Sequence, residues 1–151
     1  MILRNEHTRL EMTPHDVGTG ISQIVPVVVA AVLELDAFIM VAQPELHIHP
    51  KLQVNLADVF IKAINKKNAS SFLLETHSEH LLLRLLKRIR HTNSGDNSEG
   101  VSMRNTDLVV YWISSEERHT SVLRLGVDED GSFNTLWPEG FFDERGEELF
   151  G

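Results

Sequence analysis

The stretch "FIMVAQPELHIHP", Phe38–Pro50, decides how this chain is read. Phe38 to Val41 is a short continuous apolar run closed by a proline-containing turn, the pattern of a buried strand. Pro50 then suits the first position of a helix, where a missing N–H costs little. Leu52, Leu56, Phe60 and Ile64 follow at intervals of four, which predicts an amphipathic helix through about Lys66. Strand, polar turn and helix in that order make the unit of a parallel sheet, whose chemistry lies at the C-terminal ends of its strands. Ala42 and Gln43 stand at that end, where a carboxylate could hold a metal ion.

Working outward, "DVGTG" is a glycine turn and "ISQIVPVVVAAVLEL" predicts a helix with Ser22 near its N-cap and Pro26 in its first turn. That helix is apolar on nearly all sides, which implies deep burial. The strand "AFIMVA" is expected to be covered on both faces. After "KKNAS" come a second buried strand, "SFLLET", and a leucine-rich helix, "SEHLLLRLLKRIR". The order αβαβα predicts an open parallel sheet with helical crossovers. The first 15 residues show no strong period.

The polar segment 91–106 reads as a surface loop, open to disorder. Beyond it the period changes to two: "DLVVYWISS" and "TSVLRLGV" read as paired strands joined by "EERH", and "DEDGS" as a turn. The end, "NTLWPEGFFDERGEELF", has no clean period, and no internal repeat is visible. The chain therefore divides into an α/β part over 1–90, the loop 91–106, and a β-rich extension over 107–151.

At 151 residues, 42% hydrophobic and 24% charged, the chain suits one ordinary globular domain. The absence of cysteine excludes disulfides and thiolate metal sites and suits a reducing cytoplasm. "IVPVVVAAVL" is too short for a bilayer span, and "MILRNEHTRLE" lacks the apolar core of a signal peptide. The net charge of −8 is concentrated at the end: from Gly126 onward there are eight acids and one base, Arg145. Arg84, Lys87, Arg88 and Arg90 form a small basic cluster that reads as a solvated helix end rather than a nucleic-acid footprint.

Three pieces carry chemistry. "GTGISQ", Gly18 to Gln23, brings glycines to a helix N-terminus, where free N–H groups and the dipole favour an anion. Alone it reads more simply as a turn before a core helix. "AQPE" ends one strand, and "THS", Thr76 to Ser78, ends the next, where His77 could donate to an oxygen developing charge. Alone, His77 reads as an ordinary polar loop residue. Their order, spacing and common placement make the joint signal much stronger than its parts.

Together these pieces resemble the C-terminal half of the head domain of ABC-type ATPases, the branch of SMC-like, RecF-like and overcoming-lysogenization-defect-type proteins. Within it the chain is most similar to bacterial ATPases whose Walker B region reads "EQPELHLHP". "DVGTGISQ" matches the signature motif, "FIMVAQPE" Walker B, "ELHIHP" the D-loop and "THS" the switch histidine. "DEDGSFNTLWPEGFFDE" resembles a C-terminal module found after such ATPases. The resemblance spans roughly Asp16 to Asp143 and implies a partial P-loop NTPase sheet.

By position, it implies that Gly18, Gly20, Ser22 and Gln23 contact the γ-phosphate of ATP held by a second head, and that His77 senses the γ-phosphate in its own. Gln43 falls where related ATPases carry the glutamate that polarises water; a glutamine can position water but cannot take its proton. Glu45 is a candidate helper, a structural role in the turn being equally open. Ala42 takes the place of the acid that supports Mg²⁺, so no metal ligand is assigned. Nothing matches the Walker A pattern G-x-x-x-x-G-K-S/T. The expected partners are thus an N-terminal half carrying Walker A, a second head and an effector protein, in a bacterial assembly linked to defence against phage. Nucleic acid is left open by the resemblance and unsupported by charge.

Three rivals stand beside this reading. His47, His49, His77 and His80 could suggest a metal hydrolase, but no H-x-H-x-D-H or H-E-x-x-H pattern occurs. Ala42 and Gln43 together favour a nucleotide-dependent scaffold with little hydrolysis. Trp137, Phe141 and Phe142 could anchor a partner, though aromatics packing on a sheet edge is the simpler account.

Overall fold

The order of elements follows the sequence pattern closely, and the coverage of the strands does not. The computed structural model describes residues 2–4, 6, 8–13, 16–33, 36–96, 100–116 and 119–135. Trp137, Phe141 and Phe142 lie outside the described residues.

In the segment without a clear period, β1 (Leu3–Arg4) and β2 (Glu11–Met12) pair antiparallel. Asp16 then closes a turn: its Oδ2 accepts from the backbone N–H and the hydroxyl of Thr13 at 2.8 and 2.7 Å. Those bonds, the hydroxyl's first, hold the Asp16 carboxyl below its ordinary pKa.

Helix α1 (Thr19–Val32) starts three residues ahead of Ser22, with Gly18 at the N-cap and no side-chain cap. Ser22 is therefore within the helix, and its hydroxyl donates to the Thr19 carbonyl at 2.9 Å. Pro26 is consequently interior to the helix rather than in its first turn, and removes the N–H that would reach the Ser22 carbonyl. The expected deep burial is also corrected. Gly20 and Ala31 are its buried residues, whereas Val29, Val32 and Leu33 are exposed.

Strand β3 (Phe38–Ala42) leads through a tight turn into α2 (Pro50–Ile64), with Pro50 at the first position as expected. The His49 imidazole caps this helix, Nδ1 accepting from the Lys51 N–H at 3.2 Å. Leu56, Ala57, Phe60, Ile61 and Ala63 are buried, and α1 packs on α2. Strand β4 (Ser71–Glu75) pairs parallel to β3, from Phe38 opposite Ser71 to Ala42 opposite Glu75. The sequence predicted strands covered on both faces, and here one face is open: Phe38, Met40 and Leu73 are exposed. On the other face Ile39, Val41, Phe72 and Leu74 are partly buried, and the Phe72 ring lies 5.1 Å from that of Phe60. A continuous apolar run records that both faces avoid water, and does not say which chain covers them.

Helix α3 (Glu79–Asn93) follows, and the chain divides within it into two compact units, Met1–Leu82 and Leu83–Gly151. In the second unit Leu85, Leu86, Ile89, Val101, Met103 and Leu125 are buried. Arg88 is 2% exposed, so the basic cluster is not simply a solvated helix end. The Arg90 guanidinium donates from Nε to the Asp130 carbonyl at 2.9 Å. The stretch 91–106 is only partly loop, since α3 continues to Asn93 and Val101 and Met103 are buried.

Strands β5 (Val110–Glu116) and β6 (His119–Leu125) form the expected antiparallel hairpin, in register from Val110 opposite Leu125 to Glu116 opposite His119. The predicted turn closes with the Asp128 N–H donating to the Ser132 carbonyl at 2.9 Å. Gly131 in it has φ of +73°, and a side chain there would meet the Leu86 carbonyl. The fold is thus mixed α/β, a small parallel sheet with helices followed by antiparallel strands, consistent with a partial P-loop NTPase-like fold. No helix among the described residues is long and apolar enough to cross a membrane.

Candidate functional site

Parallel pairing brings the ends of β3 and β4 side by side, so the turns that follow them become neighbours. The first tie is main chain: the Gln43 N–H donates to the Glu75 carbonyl at 2.7 Å. Gln43 has φ of +48° and His47 of +60°, left-handed conformations that a residue with a Cβ adopts only when its surroundings impose them. Two short backbone bonds fold the turn between them, Leu46 N–H to the Gln43 carbonyl at 3.1 Å and Ile48 N–H to the Glu45 carbonyl at 3.2 Å. Pro44 and Ile48 are buried, and Leu46 and His47 are exposed.

Glu45 turns back toward the second strand. Its Oε1 accepts from the His77 N–H at 2.7 Å, while Oε2 is shielded from solvent with no hydrogen-bond partner among the described residues. The carboxylate is thereby committed to the backbone of the His77 loop, and the His77 side chain is left exposed. Thr76 Oγ1 accepts from the Ser78 N–H at 3.0 Å, and Ser78 Oγ accepts from the Leu81 N–H at 3.0 Å, capping α3.

The glycine turn joins the same edge. A side chain on Gly20 would collide with the His47 carbonyl and approach Ile48, so the N-terminus of α1 packs on the turn after β3 through a position that only glycine allows. Gly18 differs, since a side chain there would meet nothing. Gln23 is exposed, and the Ser22 hydroxyl is spent on Thr19 within the helix. Ser22 would therefore have to change rotamer to donate elsewhere. The unit thus assembles Gly20, the turn 43–49 and the loop 76–78 at one edge.

Sequence reasoning missed Gln53. Its Nε2 donates to the Ile48 carbonyl at 3.1 Å, and its Oε1 accepts from the Ser78 hydroxyl at 2.7 Å. A glutamine one turn into a helix carries no motif; only its distance from two strand-end turns gives it meaning.

Comparison with known proteins narrows what this edge is. The AAA ATPase domain family matches residues 5–82, just over half of the chain. The chain belongs to that family. No curated protein and no solved structure matches it. As an AAA ATPase domain the chain is of a nucleotide-binding ATPase class that generally uses ATP with Mg²⁺. The matched span holds the glycine turn, both strands and both strand-end turns.

The residues of this AAA domain do not by themselves fit Mg²⁺. Ala42 offers a methyl group, and Glu75 opposite it is exposed on the open face. Among the described residues no group of three His, Asp or Glu side chains stands close enough to hold a metal ion. His49 caps a helix, and His47 is set by a turn whose packing role is to face Gly20. Of the histidines singled out for a metal hydrolase, His49 thus serves as a helix cap, His47 packs through its backbone carbonyl, and the His77 side chain is exposed.

Proposed function

We propose that this AAA ATPase domain is the C-terminal half of an ATP-binding head that engages a second head around ATP, with hydrolysis impaired by Ala42. The observation that carries the reading is the bonding of the two strand-end turns, Gln43 to Glu75 and Glu45 to His77, beside the N-terminus of α1. A helix N-terminus, an amide able to position water and an exposed imidazole on one edge are among the groups that stabilise a triphosphate transition state.

On this reading Gly18 and the first N–H groups of α1 face the γ-phosphate of ATP held by the second head. The open space around Gly18 favours close approach of a ligand to the backbone. Ser22 and Gln23 are polar residues of the same helix end. Gln43 positions water, and its amide cannot take the proton, so turnover is slow or assisted. His77 stabilises charge on the phosphate in its own head. An N-terminal half with a Walker A loop would supply the cis cradle and cover the open face at Phe38, Met40 and Leu73. The assembly is cytoplasmic and bacterial on this reading, acting with an effector protein.

A scaffold that binds nucleotide without hydrolysing it is the second reading, and the methyl group at 42 favours it. Calorimetry of the isolated chain with ATP and Mg²⁺ tests the half-head. No binding is expected, and micromolar affinity would contradict it. Turnover of the complete protein carrying Ala42→Glu separates the two readings, rising for an impaired enzyme and staying flat for a scaffold.

A further inference from the structure

We propose that Gln53 is a positioning residue, tying the turn beneath α1 to the loop that carries His77. The side chain uses both ends of its amide. Nε2 holds the Ile48 carbonyl and Oε1 holds the Ser78 hydroxyl, so the orientation is fixed by an acceptor on one side and a donor on the other. Gln53 stands on the first turn but one of α2, a rigid element, and its own N–H bonds back to the His49 carbonyl at 3.3 Å. Ile48 follows His47, whose carbonyl is packed against Gly20. Ser78 follows His77, whose N–H is held by Glu45.

Two ties of different kind therefore join the same two segments. Glu45 acts directly on the backbone of the His77 loop. Gln53 acts further along each segment, at Ile48, three residues past Glu45, and at Ser78, one past His77, and so fixes the angle at which the loop leaves β4. Ser78 is 7% exposed, and a bond made there is little weakened by competing water. A displacement of the N-terminus of α1 must move His47 or open the contact at Gly20. Through Ile48 and Gln53 that movement reaches Ser78 and His77. Contact made by a second head at Gly18 would in this way be felt at the exposed imidazole. The inference rests on the ATPase reading only for the duty of His77; the tie itself is a property of this chain.

Amide hydrogen exchange by NMR on the 151-residue chain tests it, read at His77 with Phe60 and Ile61 as core references. Gln53→Leu and Gln53→Glu, the latter setting a carboxylate against the Ile48 carbonyl, should each speed exchange at His77 by about tenfold and leave the references unchanged. Glu45→Asp, one methylene short, should do the same, and Glu45→Gln, which retains an acceptor oxygen, should not. The second readout is coupling, which a merely structural role would not alter. Gly20→Ala should shift the His77 amide resonance, and Gln53→Leu should reduce that shift by roughly half or more. If Gln53→Leu does not fold, Gln53→Glu decides. Exchange at His77 that is unchanged, or faster only in step with Phe60 and Ile61, overturns the proposal, as does a Gly20→Ala shift of equal size with and without Gln53. None of these measurements uses nucleotide, so their failure would leave the ATPase reading standing, and ATP binding by the isolated chain would leave the tie standing.

Discussion

The two faces of the β3–β4 pair both carry large apolar side chains and have opposite surroundings. On one, Ile39, Val41, Phe72 and Leu74 turn inward, and Phe72 meets Phe60 on the buried side of α2. On the other, Phe38, Met40 and Leu73 face outward, Met40 at 70% exposure. The same alternation of apolar side chains thus serves a core already built and a surface without a partner among the described residues. Large exposed apolar patches mark interaction sites more often than they mark accidents. The open face adjoins the edge at which Ala42 and Gln43 end the strand.

The largest effect is expected where the packed face is deepest. Phe60→Ala should remove about 3–5 kcal/mol of stability, measured by urea denaturation, because the ring is buried and its partner Phe72 cannot fill the space. A loss no greater than that of a surface substitution would show that the two faces do not differ as described. Next comes the contact between α1 and the turn after β3. Gly20→Ala should destabilise the chain by about 1–3 kcal/mol through collision with the His47 carbonyl. Gly18→Ser, with open space and a favourable N-cap residue, should stay within about 0.5 kcal/mol of the parent. Equal effects at the two glycines would break the distinction between a packing glycine and an exposed one.

On the open face, Met40→Thr should change the stability of the isolated chain by no more than about 0.5 kcal/mol. If the proposed N-terminal half covers this face, the same change should weaken its binding to this chain, measured by co-purification of the two halves expressed as separate chains. The smallest effect is electrostatic. The hydroxyl and N–H of Ser132 hold the Asp130 carboxyl below its ordinary value, and those of Thr13 do so for Asp16. A depressed carboxylate contributes stability above its unfolded pKa of 3.8, and that contribution is lost as pH falls below 3.8 through the folded value. Asp130→Asn should therefore lower stability slightly at neutral pH, where that contribution is fully present, and flatten the profile as the pH falls through the acid range.

Much of this was legible in the residues. Pro50 and the leucines after it place α2, the run Phe38–Val41 places β3, and the two-residue period places the β5–β6 hairpin, because each pattern reports the local backbone directly. What the pattern could not carry was coverage. Val29 and Val32 on α1, Leu33 at its C-cap and Met40 on β3 are apolar yet exposed, which a local pattern does not distinguish from burial. The start of α1 was misread because Ser22 is a better N-cap residue than Gly18 by propensity, and the packing of Gly20 on His47 outweighs it. Glu45 was visible as a candidate with two roles, and the structure adds its bond to the His77 N–H, which local sequence does not show. The burial of Arg88 was not legible, nor was the place of Gln53, whose Oε1 accepts from Ser78, 25 residues along the chain.

On the proposed reading, this edge closes on ATP held by a second head. Light scattering of the complete protein, with the proposed Walker A half, tests it most directly. ATP with Mg²⁺ is expected to double the mass, and Ser22→Arg at the head of α1 to prevent the change without altering the mass of the nucleotide-free protein. A mass indifferent to ATP, or an ATP-driven doubling that Ser22→Arg leaves intact, would contradict it.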